Sequence, residues 1–165
     1  MKTIEIEIYT FEELSEQAKE TARAWWRNGD DFPYFGEMAQ SLKAFCDHYG
    51  VKLVDYTFSD CYRAHIDTDA SPRSFRGLTL KQVQGNAQLM PTGVYYDCRL
   101  FEGFADSFKK SGDALEAFKD TLEDYLRMIR EEIEYYYSDE NIDEMLIVNE
   151  YEFTEDGKLF VRGKA

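Results

Sequence analysis

DALEAFKDTLEDYLRMIREEIEYYY, residues 113–137, places Leu115, Phe118, Leu122, Leu126, Ile129, Ile133 and Tyr136 at steps of three and four. Side chains at that spacing share one face of an α-helix. The segment therefore predicts an amphipathic helix with one stripe turned to a core. Asp113 stands where an N-cap belongs, ready to accept a backbone N–H of the first turn. At 1.5 Å per residue such a helix is roughly 37 Å long, which makes it the natural central packing element.

Working outward toward the C-terminus, Ser138 caps a further helix with Ile142, Met145 and Leu146 inward. YEFT and LFVR then flank Glu155-Asp156-Gly157-Lys158, and Asp-Gly between apolar runs predicts a β-hairpin. Working back toward the N-terminus, Leu100, Phe101, Phe104 and Phe108 mark a helix over about 97–110. In the region 75–93, Leu78, Leu80 and Val83 fit either a short helix or a loop. Residues 51–58 and 61–67 read as two antiparallel strands around Ser59-Asp60, followed by a loop over 67–72. Met38, Leu42, Phe45 and Tyr49 define a helix from about Tyr34 to Tyr49, which Gly50 stops; a linker from Asp30 to Pro33 precedes it. Ser15 opens an earlier helix with Leu14, Ala18, Ala22, Trp25 and Trp26 near one side, ended by Gly29. Thr10 and Glu13 have the spacing of a capping box. Ile4, Ile6 and Ile8 alternate with Glu5 and Glu7, the period of a strand with one buried face. Strands at both ends and in the middle, with helices between, predict an α+β fold. The expected form is a single mixed, mainly antiparallel sheet packed against helices, with the long helix at about 113–137, in a single domain over 1–165.

Composition narrows the partners. The chain has 165 residues, 44% hydrophobic and 16% aromatic, so it can build a core without disulfides or metal. Its net charge is −14, which is the wrong sign for direct binding to nucleic acid or to an anionic membrane and suits a basic protein surface. Three cysteines, Cys46, Cys61 and Cys98, are too few and odd in number for a secreted disulfide scaffold. The start, MKTIEIEIYTF, is not a signal-peptide core, and no stretch nears the ~20 apolar residues of a membrane span. A reducing, cytoplasmic setting is expected.

Motifs of known chemistry are missing. There is no P-loop, GxGxxG or GxSxG sequence. Histidine is confined to His48 and His65. Cys46 and His48 point about 200° apart around a helix, and Cys61 and His65 lie about 13 Å apart along a strand, so neither pair grips one ion. A Cys–His nucleophilic pair made of Cys61 or Cys98 with His65 rests on chance alone. No catalytic residue, metal or cofactor is expected, and the chain is expected not to be an enzyme.

The sharpest feature is charge. From Glu131 to Gly157 there are eleven acids and no base. Acids three or four apart on a helix lie about 5–6 Å from one another, a row that resembles the coarse charge density of a phosphate backbone. Three consecutive tyrosines, 135–137, sweep about 200° of helix, so either at least one faces out as an interface anchor or all three pack under loops. The expected partner-binding residues are Glu131, Glu134, Tyr135, Asp139, Glu140, Asp143 and Glu144. The bland alternative is a solvated face that keeps the protein soluble.

IYTFEELSEQAKETARAWWRN (8–28), FRGLTLKQVQGN (75–86) and YYYSDENIDEMLIVNEYEFTEDGKLF (135–160) together resemble a family of uncharacterised phage and prophage proteins, some labelled antitoxin-like. Those proteins begin with an ELSxxAKxxARxW pattern and end with SDExxxE and NEYEFTEDG. Residues 59–72 depart from the family's Gly-rich middle. The resemblance implies a phage- or prophage-encoded protein of the bacterial cytoplasm. Joined to the acidic face, it predicts an accessory protein that binds and inhibits a basic host defence effector of the anti-CRISPR or anti-restriction type, as a nucleic-acid mimic. The alternatives are an antitoxin-like protein that neutralises a toxin, or a phage enzyme or structural protein.

Overall fold

A computed structural model describes residues 5–29, 31–59 and 63–161. Expectations that touch Ile4, Asp30, Asp60, Cys61, Tyr62 and Arg162 lie outside the described residues. The chain gathers into two compact units, 1–32 with 132–165, and 33–131.

The first unit is built from both ends of the chain. Strand β1, Tyr9–Thr10, leads into a 3-10 turn over Phe11–Glu13. The expected capping box is present: Thr10 N donates to Glu13 Oε2 at 2.8 Å and Thr10 Oγ1 donates to the same atom at 3.0 Å. Helix α1, Glu16–Arg27, starts at Ser15, whose Oγ accepts from Ala18 N at 3.2 Å. From the C-terminal part come helix α6, Asp139–Val148, capped by Ser138, and strand β4, Glu152–Phe153. Phe11, Leu14, Ala18, Ala22, Ile142, Leu146 and Phe153 form the core. The small Ala18 and Ala22 on α1 let α6 approach closely with Ile142 and Leu146. The Phe11 and Phe153 rings meet edge to face at 6.3 Å.

Only two residues of each terminal strand pair, Tyr9 with Phe153 and Thr10 with Glu152, antiparallel. The Ile/Glu alternation does not extend this strand. Residues 5–8 are irregular, with Ile6 and Ile8 exposed, because the pairing with β4 ends at Tyr9. The Asp-Gly turn forms as expected, with Thr154 N donating to Lys158 O at 2.9 Å and Gly157 at φ +80°. The hairpin after it is short: its far arm meets the other edge of β4 through a bridge between Phe153 and Leu159, with Phe160 N donating to Glu152 O at 2.8 Å.

The second unit holds helix α2 (Phe35–His48), strands β2 (Leu53–Thr57) and β3 (His65–Thr68), and helices α3 (Leu80–Asn86) and α4 (Tyr95–Ser111). Most of helix α5, Ala114–Tyr136, also belongs here; the boundary at 131/132 falls within it. The ambiguous region 75–93 resolves into α3, which has its own capping box between Thr79 and Gln82. Gly50, at φ +66°, ends α2, and Asp113 Oδ1 accepts from Glu116 N at 2.8 Å to start α5. An aromatic core fills the unit. Phe45 stacks on Phe118 at 5.2 Å and meets Phe101 and Phe104 edge-on. Tyr125 buries its ring and donates from its hydroxyl to Met38 O at 2.9 Å. The fully buried Asp97 accepts from Thr92 N at 2.8 Å, Thr92 Oγ1 at 2.9 Å and Gly93 N at 3.1 Å, which removes the penalty of a lone buried carboxylate.

An α+β composition holds, and the single mixed sheet does not. Among the described residues there are two separate two-stranded antiparallel sheets, β1–β4 and β2–β3. Each strand that forms pairs with one other strand, β1 with β4 and β2 with β3, so no common sheet assembles.

Candidate functional site

The α6 acids sort into two stripes one helical step apart. Asp139 and Asp143, four apart, face the basic pair Arg23 and Arg27 on α1, also four apart. Arg23 Nε and Nη2 donate to the two oxygens of Asp143 at 2.6 Å each, a bidentate fork, and Arg23 also pairs with Glu20. The Asp143 carboxylate, ahead of any other group, raises the affinity of this guanidinium for its proton. Arg27 pairs with Asp139 and donates from Nε to Tyr137 O at 3.2 Å, so it clamps the junction that leads from α5 into α6. At that junction Ser138 Oγ accepts from Asn141 N at 3.3 Å and donates to Tyr135 O at 2.7 Å. Asp139 and Glu140 also occupy the first turn of α6, where negative charge opposes the positive end of the helix dipole.

Asp139 and Asp143 are thus neutralised inside the first unit. The second stripe is different. Glu140 and Glu144 are exposed, four apart, and among the described residues no ion pair involves them. On α5, Glu134 is exposed and without an ion-pair partner among the described residues, and Tyr135 next to it is 53% exposed while Tyr136 and Tyr137 are half-buried. Glu131 is exposed as well, and it is the last residue of the other unit.

The first unit also contains a small aromatic cavity of about 160 Å³, lined by Trp25, Trp26, Gly29, Tyr136 and Tyr151. Three of its rings stand nearly at right angles to one another. Trp25 and Tyr151 are 5.5 Å apart at 67°, Trp26 and Tyr151 are 6.4 Å apart at 75°, and the two tryptophans are 6.5 Å apart at 69°. The rings meet edge to face, so the cavity has aromatic walls. Trp25 is 37% exposed, so the corner opens to solvent. None of Trp25, Trp26 and Tyr151 was in the expected set. A signal was available: adjacent tryptophans differ by about 100° around a helix, so both cannot sit deep in one stripe.

In the second unit, Cys46 is buried and its thiol is pushed up to about 12 by that burial, whereas His48 is exposed, so the two do face apart. Cys98 lines a polar cleft of about 290 Å³ with Arg99, Glu102, Asp106 and Lys110, and among the described residues no histidine lines it. Instead His65 Nε2 lies 2.9 Å from Asp55 Oδ2. Among the described residues no helix is long and apolar enough to cross a membrane. Compared with known protein families, curated proteins and solved structures, the chain matches none.

Proposed function

We propose that this protein acts by binding, as a phage or prophage accessory that docks onto a basic, nucleic-acid-handling host protein in the bacterial cytoplasm and blocks it. The observation that carries the reading is a set of unpaired acids in the first unit, Glu140 and Glu144 on α6 and Glu134 on α5, all exposed and without an ion-pair partner among the described residues, with the exposed ring of Tyr135 following Glu134 in the chain. Unpaired carboxylates retain their long-range attraction for a positive surface, which speeds encounter and fades with salt. Asp139 and Asp143 do not belong to this surface, since each already answers an arginine of α1. Glu131 lies on α5 in the other unit and enters the proposal only through its own exposure.

The aromatic corner gives the surface an anchor point. An Arg or Lys side chain of the partner, set against Trp25, Trp26 and Tyr151, gains cation–π attraction of about 0.5–2 kcal/mol, depending on how fully it is desolvated. Tryptophan and tyrosine are also the residues on which interface energy concentrates. Tagged protein, used to capture partners from a bacterial host at low salt, tests the reading. The expected catch is a basic nucleic-acid-handling protein whose retention falls with salt and is lost in the triple variant Glu134→Lys, Glu140→Lys, Glu144→Lys, with the fold kept by circular dichroism. Capture of a toxin would favour the antitoxin-like alternative. Retention unchanged by the triple variant would end the charge-mimic reading.

A further inference from the structure

We propose that Asp55, His65 and Asp67 form a binding site for a divalent transition-metal ion on the exposed face of the β2–β3 hairpin. The register builds it. Asp55 pairs directly across the ladder from Asp67, and His65 pairs with Thr57, two residues further along each strand. Alternate residues of a strand share a face, and directly opposed residues share it too, so both carboxylates and the imidazole project to one side. One ligand atom from each of the three lies within 4.8 Å of the others.

Two features favour an ion over a chance cluster. First, like charges set directly opposite each other on a ladder are destabilising, and Asp55 pairs directly with Asp67, so a cation held between the two carboxylates would relieve that repulsion. Second, the ring is already oriented from behind. His65 Nδ1 lies 3.1 Å from Arg63 O, a carbonyl that can only accept, so Nδ1 carries the proton. Nε2 is thereby directed at the carboxylates, 2.9 Å from Asp55 Oδ2. A backbone carbonyl holding the far nitrogen is the usual outer support of a metal-ligating histidine. With bonds of about 2.0–2.2 Å, ligand atoms around one ion stand roughly 3.0–3.4 Å apart, so Nε2 and Asp55 Oδ2, now 2.9 Å apart, open slightly while the exposed Asp67 carboxylate closes by about 1 Å through a small side-chain rotation. One imidazole and two carboxylates suit Zn²⁺ or Mn²⁺, and the remaining positions are open to water.

Cys/His spacing within single strands does not reveal the site, because two of its ligands are aspartates brought together by cross-strand register. Titration of the full chain with ZnCl₂ at neutral pH, by calorimetry and by NMR of the histidine rings, tests it. The expected result is one saturable Zn²⁺ per chain, with His65 resonances moving and His48 resonances still. Affinity should fall at least about tenfold in both His65→Ala and Asp67→Asn. Glu102→Gln, an acid of the Cys98 cleft, serves as the control for diffuse binding by an acidic protein. Absence of saturable binding, or binding that either variant weakens less than the control does, overturns the proposal. Because the hairpin lies in a different unit from the acidic stripe, neither result bears on partner capture.

Discussion

Asp143→Asn separates structural acids from those available to a partner. The substitution preserves shape and removes one charge. Asp143 accepts two charge-assisted bonds of 2.6 Å from Arg23, whose side chain is only 10% exposed, while Asp143 itself is 29% exposed. Asparagine retains one acceptor and turns an amide donor toward a guanidinium donor. Breaking a fully buried pair costs about 3–5 kcal/mol, and breaking an exposed one costs about 0–1 kcal/mol. The intermediate exposure of this pair, and the continued presence of Glu20, place the cost at about 2 kcal/mol. Glu144→Gln, one residue along, removes the same charge from the unpaired stripe. It is expected to change stability by less than about 0.5 kcal/mol, and in the favourable direction, because it relieves repulsion from Glu140 four residues away. Urea unfolding followed by tryptophan fluorescence is the assay. Both tryptophans of the chain, Trp25 and Trp26, lie on α1 beside the pair, so the signal reports on the right unit. With a urea dependence of about 1–3 kcal/mol per molar, the Asp143→Asn midpoint should drop by about 1 M. If Asp143→Asn unfolds at the same urea concentration as Glu144→Gln, the arginine fork contributes nothing and Asp143 returns to the candidate partner surface.

Gly157→Ala is expected to be more damaging than Gly112→Ala, although both glycines have φ near +75° (+80° and +73°). Each pays about 1–2 kcal/mol for the left-handed backbone, but a Cβ at Gly157 would also fall 2.7 Å from the carbonyl carbon of Ala18, adding about 1–3 kcal/mol, while Gly112 has open space around it. Urea melts of the two variants, read by fluorescence for Gly157 and by circular dichroism for Gly112, should differ by that second amount; equal losses would mean the turn does not press on α1. Cys46, buried and with its thiol pushed up to about 12, should resist iodoacetamide at pH 8 in the folded protein and react once urea is added, as peptide mapping would read. Labelling of Cys46 as fast as that of the half-buried Cys98 in native protein would contradict its burial.

Much of the local structure was legible because it depends on near neighbours. The three-and-four spacing from Leu115 to Tyr136 announced α5, found at Ala114–Tyr136. The caps at Thr10, Ser15, Asp113 and Ser138, and the stop at Gly50, were readable because a cap is a contact between residues two or three apart. Strands were less legible, since alternation describes a residue's two faces and not the existence of a partner. Ile6 and Ile8 alternate correctly and remain exposed, while the pairing they suggested begins only at Tyr9. The acid run was visible, but its division into a paired and an unpaired stripe was not. Arg23 lies 120 residues before Asp143, and only the packing of α1 against α6 makes them partners.

The sequence by itself determined five helices, α1, α2, α4, α5 and α6, the caps at Thr10, Ser15, Asp113 and Ser138, the apolar stripes and the charge of the C-terminal third, because each follows from the chemistry of a residue and its close neighbours along the chain; α3 stayed open between helix and loop. The tertiary structure alone decided which carboxylates are spent on arginines, which aromatic rings meet in a corner, and that Asp55 lies opposite Asp67 beside His65. Those outcomes depend on helix contact and strand register, and a shift of one residue in a ladder would send the same side chains to the opposite face.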